Sequence, residues 1–374
     1  MIEFRDVTFF YGEETAPSVD GVSLKIDKGE TVVLCGESGC GKSTMTRLIN
    51  GLIPHFHEGK LEGEVLYDGK RTTDMRLYEL SEHVGSVFQD PRTQFYNVES
   101  TVELAFGCEN LGVPPEEIEQ RITRTATRFG LEELLDRNLF AMSGGEKQRI
   151  ACGSVDATNP ETLVLDEPSS NLDLFAIHDL AQVVQRWRDD GKTLVIAEHR
   201  IFYLVDLADR FIYIRDGRIE WEFRPDELRT LSPEALEDLG LRAPDPWKLA
   251  PRAEARGSGE SLSLRSLKCI TRGRRRLSIP ELTLPRGEII AVIGRNGAGK
   301  TTLARTLCGL EKTGSGVLGI DGATHDIRKR RDLVYMVMQD VNHQLFTEDV
   351  ISELLLSMDG TDPDAEQKRA MEIL

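Results

Sequence analysis

The sequence predicts an α/β chain built on a mainly parallel sheet, present as one complete copy followed by part of a second. Three observations predict it. Short apolar runs alternate with stretches of helical periodicity, the order that gives parallel strands joined by helices. A glycine-rich segment joins an apolar run to a helical one twice, at 36–52 and 294–310. The surroundings of these two segments match in order and spacing over about 70 residues, which marks a duplication.

Size and composition set the frame. The 374 residues suit two domains, and 40% apolar residues can build real cores. A net charge of −17 argues against a nucleic-acid surface, which needs clustered Lys and Arg. The six cysteines, Cys35, Cys40, Cys108, Cys152, Cys269 and Cys308, form no CxxC pair and match no zinc spacing. They read as reduced thiols of a cytosolic compartment, with Cys40 a small filler residue. The start, "MIEFRDVTFFYG", alternates like a strand rather than a signal peptide, and no apolar run reaches membrane-spanning length. A membrane role would therefore come through partners.

In the first copy, strands are expected near 3–9, 22–26, 31–35, 63–67, 84–88, 162–166, 193–197 and 211–214. A helix should run from the glycine loop to about Asn50, and 101–140 reads mostly helical. Residues 174–188 place Leu174, Ile177, Ala181 and Val184 on one helical face. A mainly parallel sheet collects ligands at the carboxyl ends of its strands. The first domain is read as 1–223. Residues 224–260 hold five of the fifteen prolines and end in Gly and Ser, so they read as a connector with one short helix at "PEALEDLG". The second copy is read as 261–374. The repeat includes "GEVLYDG" and "GVLGIDG", and the pairs Gln89 with Gln94 and Gln339 with Gln344.

The chemistry begins at Gly36-Glu37-Ser38-Gly39-Cys40-Gly41-Lys42-Ser43-Thr44, repeated as Gly294-Arg295-Asn296-Gly297-Ala298-Gly299-Lys300-Thr301-Thr302. Each fits G-x4-GK[ST] after an apolar strand. The glycines turn backbone N–H groups around a phosphate, the lysine reaches the β/γ oxygens, and Ser43 or Thr301 offers a hydroxyl to Mg²⁺. "TLVLDEP" ends an apolar strand in Asp166, suited to holding Mg²⁺, and Glu167, suited to polarising the attacking water. In "MSGGEKQR", Ser143, Gly144, Gly145 and Glu146 open a helix whose amides can face an anion. His199 closes another strand, "LVIAE", where it suits a γ-phosphate contact.

This constellation resembles the nucleotide-binding domain of ATP-binding-cassette (ABC) ATPases, a P-loop NTPase fold with an antiparallel β subdomain and a helical subdomain. The resemblance implies a Q-loop at Gln89 and Gln339, both near Mg²⁺, a signature at 143–148, a D-loop "SNLD" at 170–173 and a switch histidine at His199. It maps the adenine-stacking aromatic to Tyr11, with Phe9 and Phe10 as competitors. Met142 replaces the family's Leu. Glu146 replaces its Gln, which bears on ribose and γ-phosphate contacts. "NGLIPHFHEGKLEGEV", "FQDPRTQFYNVESTVELAFG" and "MQDVNHQLFTEDVISELL" look like the fused ATPases of energy-coupling-factor (ECF) importers. That likeness implies ATP and Mg²⁺ as ligands and a place on the cytoplasmic face of the membrane. The implied partners are a transmembrane T component and a substrate-binding S component for a vitamin or transition metal. Gln94, Phe95, Tyr96, Gln344, Leu345 and Phe346 become candidate T-component contacts, with core packing the alternative. His55 and His57 lack a third nearby ligand and read as loop residues.

The family works as a head-to-tail pair, each ATP lying between one phosphate loop and the other lobe's signature. Ser143 follows Lys42 by 101 residues, so its counterpart would fall near position 401. The second copy holds Lys300, Thr301 and Gln339 but neither a signature nor the acidic pair, and is expected to be part of a longer tandem ATPase. The second lobe would come in cis, or in trans by pairing of two first copies. A soluble tandem ABC protein and a non-hydrolysing nucleotide binder are the competing readings.

Overall fold

The computed structural model describes residues 1–248, 258–271, 274–320, 323–325, 333–339, 344–358, 360 and 362–374. They fall into two compact units, Met1–Arg252 and Ala253–Leu374.

The first unit carries ten strands: β1 (Ile2–Tyr11), β2 (Val19–Ile26), β3 (Thr31–Cys35), β4 (Gly59–Tyr67), β5 (Lys70–Arg71), β6 (Val84–Val87), β7 (Thr162–Asp166), β8 (Thr193–Ala197), β9 (Arg210–Arg215) and β10 (Arg218–Phe223). They make an antiparallel sheet in the order β2-β1-β4-β5 and a six-stranded sheet in the order β10-β9-β3-β8-β7-β6. The latter is parallel except for the β9–β10 hairpin. Every residue of β3 and of β8 is buried. Strands covered on both faces read as unbroken apolar runs, which is why these two were conspicuous in the sequence.

Strand alternation divides the interior in two. Val32, Leu34, Val164, Val195 and Ile212 join a core under the antiparallel sheet, with Met45 and Leu48 of the helix Lys42–Ile49. Val33, Leu163, Leu194, Ile196 and Phe211 join a core with the helical region. That region comprises the helices Ser100–Asn110, Pro115–Phe129 and Gly144–Thr158. Asp156 knits it together, accepting from Thr125 Oγ1 at 2.7 Å and from the buried Trp187 Nε1 at 2.9 Å.

Two details differ from the sequence reading. The helix Leu174–Asp189 buries Ile177, Leu180, Val183, Val184 and Trp187, whereas Leu174 is exposed. Asp173 caps this helix by accepting from Ala176 N at 2.9 Å, so Leu174 sits at its solvent-facing mouth. The first unit also continues past residue 223. Helices Pro225–Thr230 and Pro233–Asp238 each begin with proline, which suits the first helical position. They insert Leu228, Leu236 and, just beyond, Leu239 and Leu241 into the core, and Tyr213 Oη donates to Leu239 O at 2.9 Å. Proline content suggested a connector here; apolar spacing decides for a docked segment.

The second unit holds β11 (Ser258–Thr271), β12 (Arg274–Arg286), β13 (Gly314–Ile320) and β14 (Ala323–His325), antiparallel in the order β12-β11-β13-β14. This repeats the β2-β1-β4-β5 order of the first unit. The helices Lys300–Leu307, Val350–Leu356 and Pro363–Ile373 complete what is described. The apolar run 289–293, the counterpart of β3, is not a strand, and Ile289 and Ile293 are 104% and 90% exposed.

Leu228→Ala is expected to destabilise the first unit by about 2–4 kcal/mol in urea unfolding, because the side chain is fully buried. An unchanged midpoint would return 225–241 to the role of a free connector.

Candidate functional site

The site forms where β3, β7 and β8 end side by side. From β3 the chain enters the loop 36–41 with positive φ at Gly36 (143°), Gly39 (82°) and Gly41 (108°). A Cβ at Gly36 would lie 2.2 Å from Ile214 O, and one at Gly41 2.4 Å from Ser18 O. Glycine is required at both positions by conformation and by space. The buried Lys42 Nζ donates to Gly36 O at 3.1 Å and Glu37 O at 2.7 Å, folding the loop around its own ammonium. Cys40 lies beside it, and burial pushes the Cys40 thiol above its ordinary pKa despite Lys42. Burial drives Cys35 to about 12. Neither has the character of a reactive thiol.

The acidic pair closes on this loop. Ser43 Oγ donates to Asp166 Oδ1 at 2.8 Å. Burial raises the Asp166 pKa, the Ser43 hydrogen bond opposes the rise and the Glu167 charge adds to it. Glu167 takes a left-handed φ of 43°, a strained state for a non-glycine residue that tends to cluster at active sites. It accepts from Gln89 Nε2 at 2.9 Å and lies 3.0 Å from His199 Nε2. The His199 contact lowers the Glu167 pKa against the opposing effect of burial. His199 Nε2 is also 3.4 Å from Ser38 Oγ. Gln89, Glu167 and His199, 110 positions apart in sequence from first to last, thus meet beside the loop.

Tyr11 reaches the same place. Its hydroxyl accepts from Arg47 Nη1 at 2.8 Å and lies 3.3 Å from Thr44 Oγ1. Phe9 is fully buried and belongs to the core, and Phe10 lies under Lys60. His55 Nε2 is 3.0 Å from Met75 O, and burial with the Arg47 charge lowers the His57 pKa. Among the described residues no group of three His, Cys, Asp or Glu is arranged to hold a metal.

Ser143 caps the helix Gly144–Thr158 reciprocally: Ser143 N donates to Glu146 Oε2 at 2.7 Å and Glu146 N to Ser143 Oγ at 3.3 Å. Arg137 pairs with Glu146 at 3.2 Å. Burial works against the Glu146 charge, but Ser143 and Arg137 together pull its pKa down. Apart from helix backbone bonds, the hydrogen bonds and ion pairs described for 143–146 run among themselves and to Arg137, and none of these joins 36–43. Gly145 packs on the start of the next helix, where an added Cβ would be 2.9 Å from Ala176 Cβ.

The family described as ABC transporter matches residues 19–170 and 277–374. The chain is 41% identical over 371 residues to a Treponema denticola protein bearing the name of an ABC transporter ATP-binding protein, spanning 97% of this chain and 76% of that one. A Sulfurisphaera tokodaii protein of like name is 34% identical over 359 residues, spanning 94% of this chain and 74% of that one.

The chain belongs to the ABC transporter ATP-binding family.

Solved structures agree on the ABC fold. CbiO1 of Clostridium perfringens, described as part of the ABC transporter complex CbiONQ, superposes with a TM-score of 0.56 at 28% identity, covering 65% of this chain and 95% of CbiO1. An ATP-binding cassette solved as a dimer in a post-hydrolysis state with ADP and Pi superposes at 0.53, with 28% identity, covering 60% of this chain and 99% of that one.

The second ABC copy repeats the loop. Gly294, Gly297 and Gly299 have φ of 151°, 81° and 102°, and Lys300 Nζ donates to Gly294 O at 2.7 Å and Arg295 O at 3.0 Å. Arg295, Asn296, Ala298, Thr301 and Thr302 complete it, while Gln339 makes no hydrogen bond to it. The turns after the two glutamines also match. Gln94 and Gln344 accept from the amides of Phe88 and Met338. Glu103 accepts from Tyr96 N at 3.1 Å and Asn97 N at 2.8 Å; Glu353 accepts from Phe346 N and Thr347 N, each at 2.9 Å. Sequence reasoning passed over these two acids. Comparing the copies would have found them, because they lie 14 residues after Gln89 and Gln339 respectively. It also passed over Arg47, Glu198 and Arg200, which no motif spacing marks.

Gly36→Ala is expected to displace the loop, lower the stability of the first unit and weaken MgATP binding at least 100-fold in equilibrium titration, since the Cβ would collide with Ile214 O. In the native chain Cys40 is expected to resist iodoacetamide at pH 8 and to react only on unfolding, read by mass spectrometry. Rapid native labelling would contradict its burial.

Proposed function

We propose that the chain is an ATP-hydrolysing subunit of an ECF-type importer of a vitamin or transition metal. The observation that carries the hydrolytic part is the meeting of Ser43, Asp166, Gln89, Glu167 and His199 beside the Lys42 loop. The loop amides of 36–41 with Lys42, Ser43 and Thr44 would hold the phosphates, and Tyr11 the adenine. Ser43 Oγ and Asp166 Oδ1 are hard oxygen donors side by side, a donor set that fits Mg²⁺, with Gln89 adjacent. Bound there, Mg²⁺ would neutralise charge on the β and γ oxygens.

Glu167, held ionised by His199, is placed to orient or deprotonate the attacking water, and His199 to contact the γ-phosphate. The signature helix starts at its Ser143 cap, Phe140 is exposed three residues before it, and Leu174 and Phe175 are exposed beside Ala176, on which Gly145 packs. Both features suit a second ATPase lobe, supplied in cis or in trans. Lys300 and Thr301, with Gln339, would serve the second phosphate site in the same way.

Transport rests on a groove lined by Leu52, Leu77, Phe88, Tyr96 and Phe106. Tyr96 is 79% exposed and stacks on Phe106 with ring centroids 4.9 Å apart. Such a groove beside the Gln89 turn suits an inserted helix from a transmembrane T component. The likeness to CbiO1 and the ECF-like segments support the same reading, which places the chain peripherally on the cytoplasmic face and leaves substrate choice to an S component. No helix among the described residues is long and apolar enough to cross a membrane.

Glu167→Gln is expected to keep MgATP affinity within about threefold while losing hydrolysis by about 10²–10⁴. Undiminished turnover would remove Glu167 from the chemistry. Tyr96→Ala is expected to reduce recovery with T-component membranes at least tenfold at unchanged MgATP affinity. Equal recovery would favour a soluble ABC ATPase.

A further inference from the structure

Glu198 and Arg200 flank His199 and carry no motif role, yet both side chains are heavily hydrogen-bonded. The Glu198 carboxylate is buried and takes four donors. Oε1 accepts from His199 N at 2.8 Å and Arg200 N at 2.9 Å; Oε2 accepts from Tyr203 Oη at 2.9 Å and Ser169 N at 3.3 Å. The Arg200 guanidinium reaches the same 169–172 turn. Nη1 donates to Leu172 O at 3.0 Å and Ser169 O at 3.3 Å, and Nη2 to Ser170 O at 3.4 Å. Three carbonyls of one turn are thereby collected by one planar fork, a task for which lysine is unsuited.

The turn so held is the stretch between Glu167 and the helix Leu174–Asp189. Its far end is Asp173, the cap of that helix, followed by the exposed Leu174 and Phe175. Its near end is Glu167, which His199 touches. Two loops about 30 residues apart in sequence are cross-linked by four side-chain hydrogen bonds, and three more to Glu198 brace 198–203 around His199.

We propose that Arg200, braced by Glu198, is a positioning residue that makes the His199 turn and the 168–173 turn move as one body. A displacement of His199 on contact with the terminal phosphate is then passed to the start of the helix Leu174–Asp189 and to the apolar residues exposed there. The proposal rests on the reading of the Lys42 loop as a nucleotide site, since the phosphate is what would displace His199. It adds a specific rigid link that a phosphate-binding role for His199 does not itself require.

The test is amide hydrogen exchange by mass spectrometry on the full chain, with and without MgATP, for wild type, Arg200→Met and Arg200→Lys. In the absence of nucleotide, Arg200→Met should speed exchange of 168–173 at least tenfold and leave 36–43 unchanged. Arg200→Lys should fall between the two. In wild type, MgATP should slow exchange in both 168–173 and 198–203; in Arg200→Met it should slow 198–203 alone. A role confined to stability would speed exchange across the whole unit and preserve the joint response to MgATP, and that pattern overturns the proposal. Unchanged 168–173 exchange in nucleotide-free Arg200→Met overturns it as well. Failure of wild type to bind MgATP defeats the functional reading instead, and the nucleotide-free comparison still decides whether Arg200 holds the turn.

Discussion

The arrangement depends on the pairing of β3 with β8 on one side and β9 on the other. Residues 31–35 are thereby held, fully buried, between strands that arrive more than 150 residues later. Parallel pairing sets all carboxyl ends at one edge, so the loop after β3, the acids after β7 and the histidine after β8 emerge together. Ile214 O of β9 presses on Gly36 and fixes the loop from below. Distant chemistry becomes local because backbone hydrogen bonds leave no other register.

The two copies separate what the loop needs from what the strand needs. Around Lys300 the loop keeps the φ values and the lysine-to-carbonyl hydrogen bonds seen around Lys42. Its shape is therefore local, written in glycine positions and one lysine. The run 289–293 has the same apolar character as β3 yet pairs with no strand among the described residues. The same contrast holds after the glutamines, where Glu103 and Glu353 cap their turns alike from nearby backbone.

This explains how much was legible in the sequence. Strands β3, β7 and β8 were plain because burial on both faces removes alternation. The phosphate loop, the acidic pair and His199 were plain because their spacing to strand ends is short. Less legible was whatever rests on contacts between remote segments. The docking of 225–241 hid behind its prolines, although Leu228, Leu236 and Leu239 supply the anchors. Leu174 looked like core by periodicity and is exposed because Asp173 ends the loop there. Glu198 and Arg200 looked like ordinary charged residues, and only the fold brings 169–172 to them. Glu146 looked like a change at a phosphate contact; the structure shows its charge held by Ser143 and Arg137.

The Lys42 loop, with its glycine turns and buried ammonium, is shaped as a preformed cradle for the phosphates of MgATP. Equilibrium titration of MgATP onto the full chain, comparing Lys42→Ala, Lys300→Ala and the double variant with wild type, tests it most directly. Two sites are expected in wild type, each single variant losing one of them by at least 100-fold, and none in the double variant. Wild-type affinity retained in the double variant would contradict it.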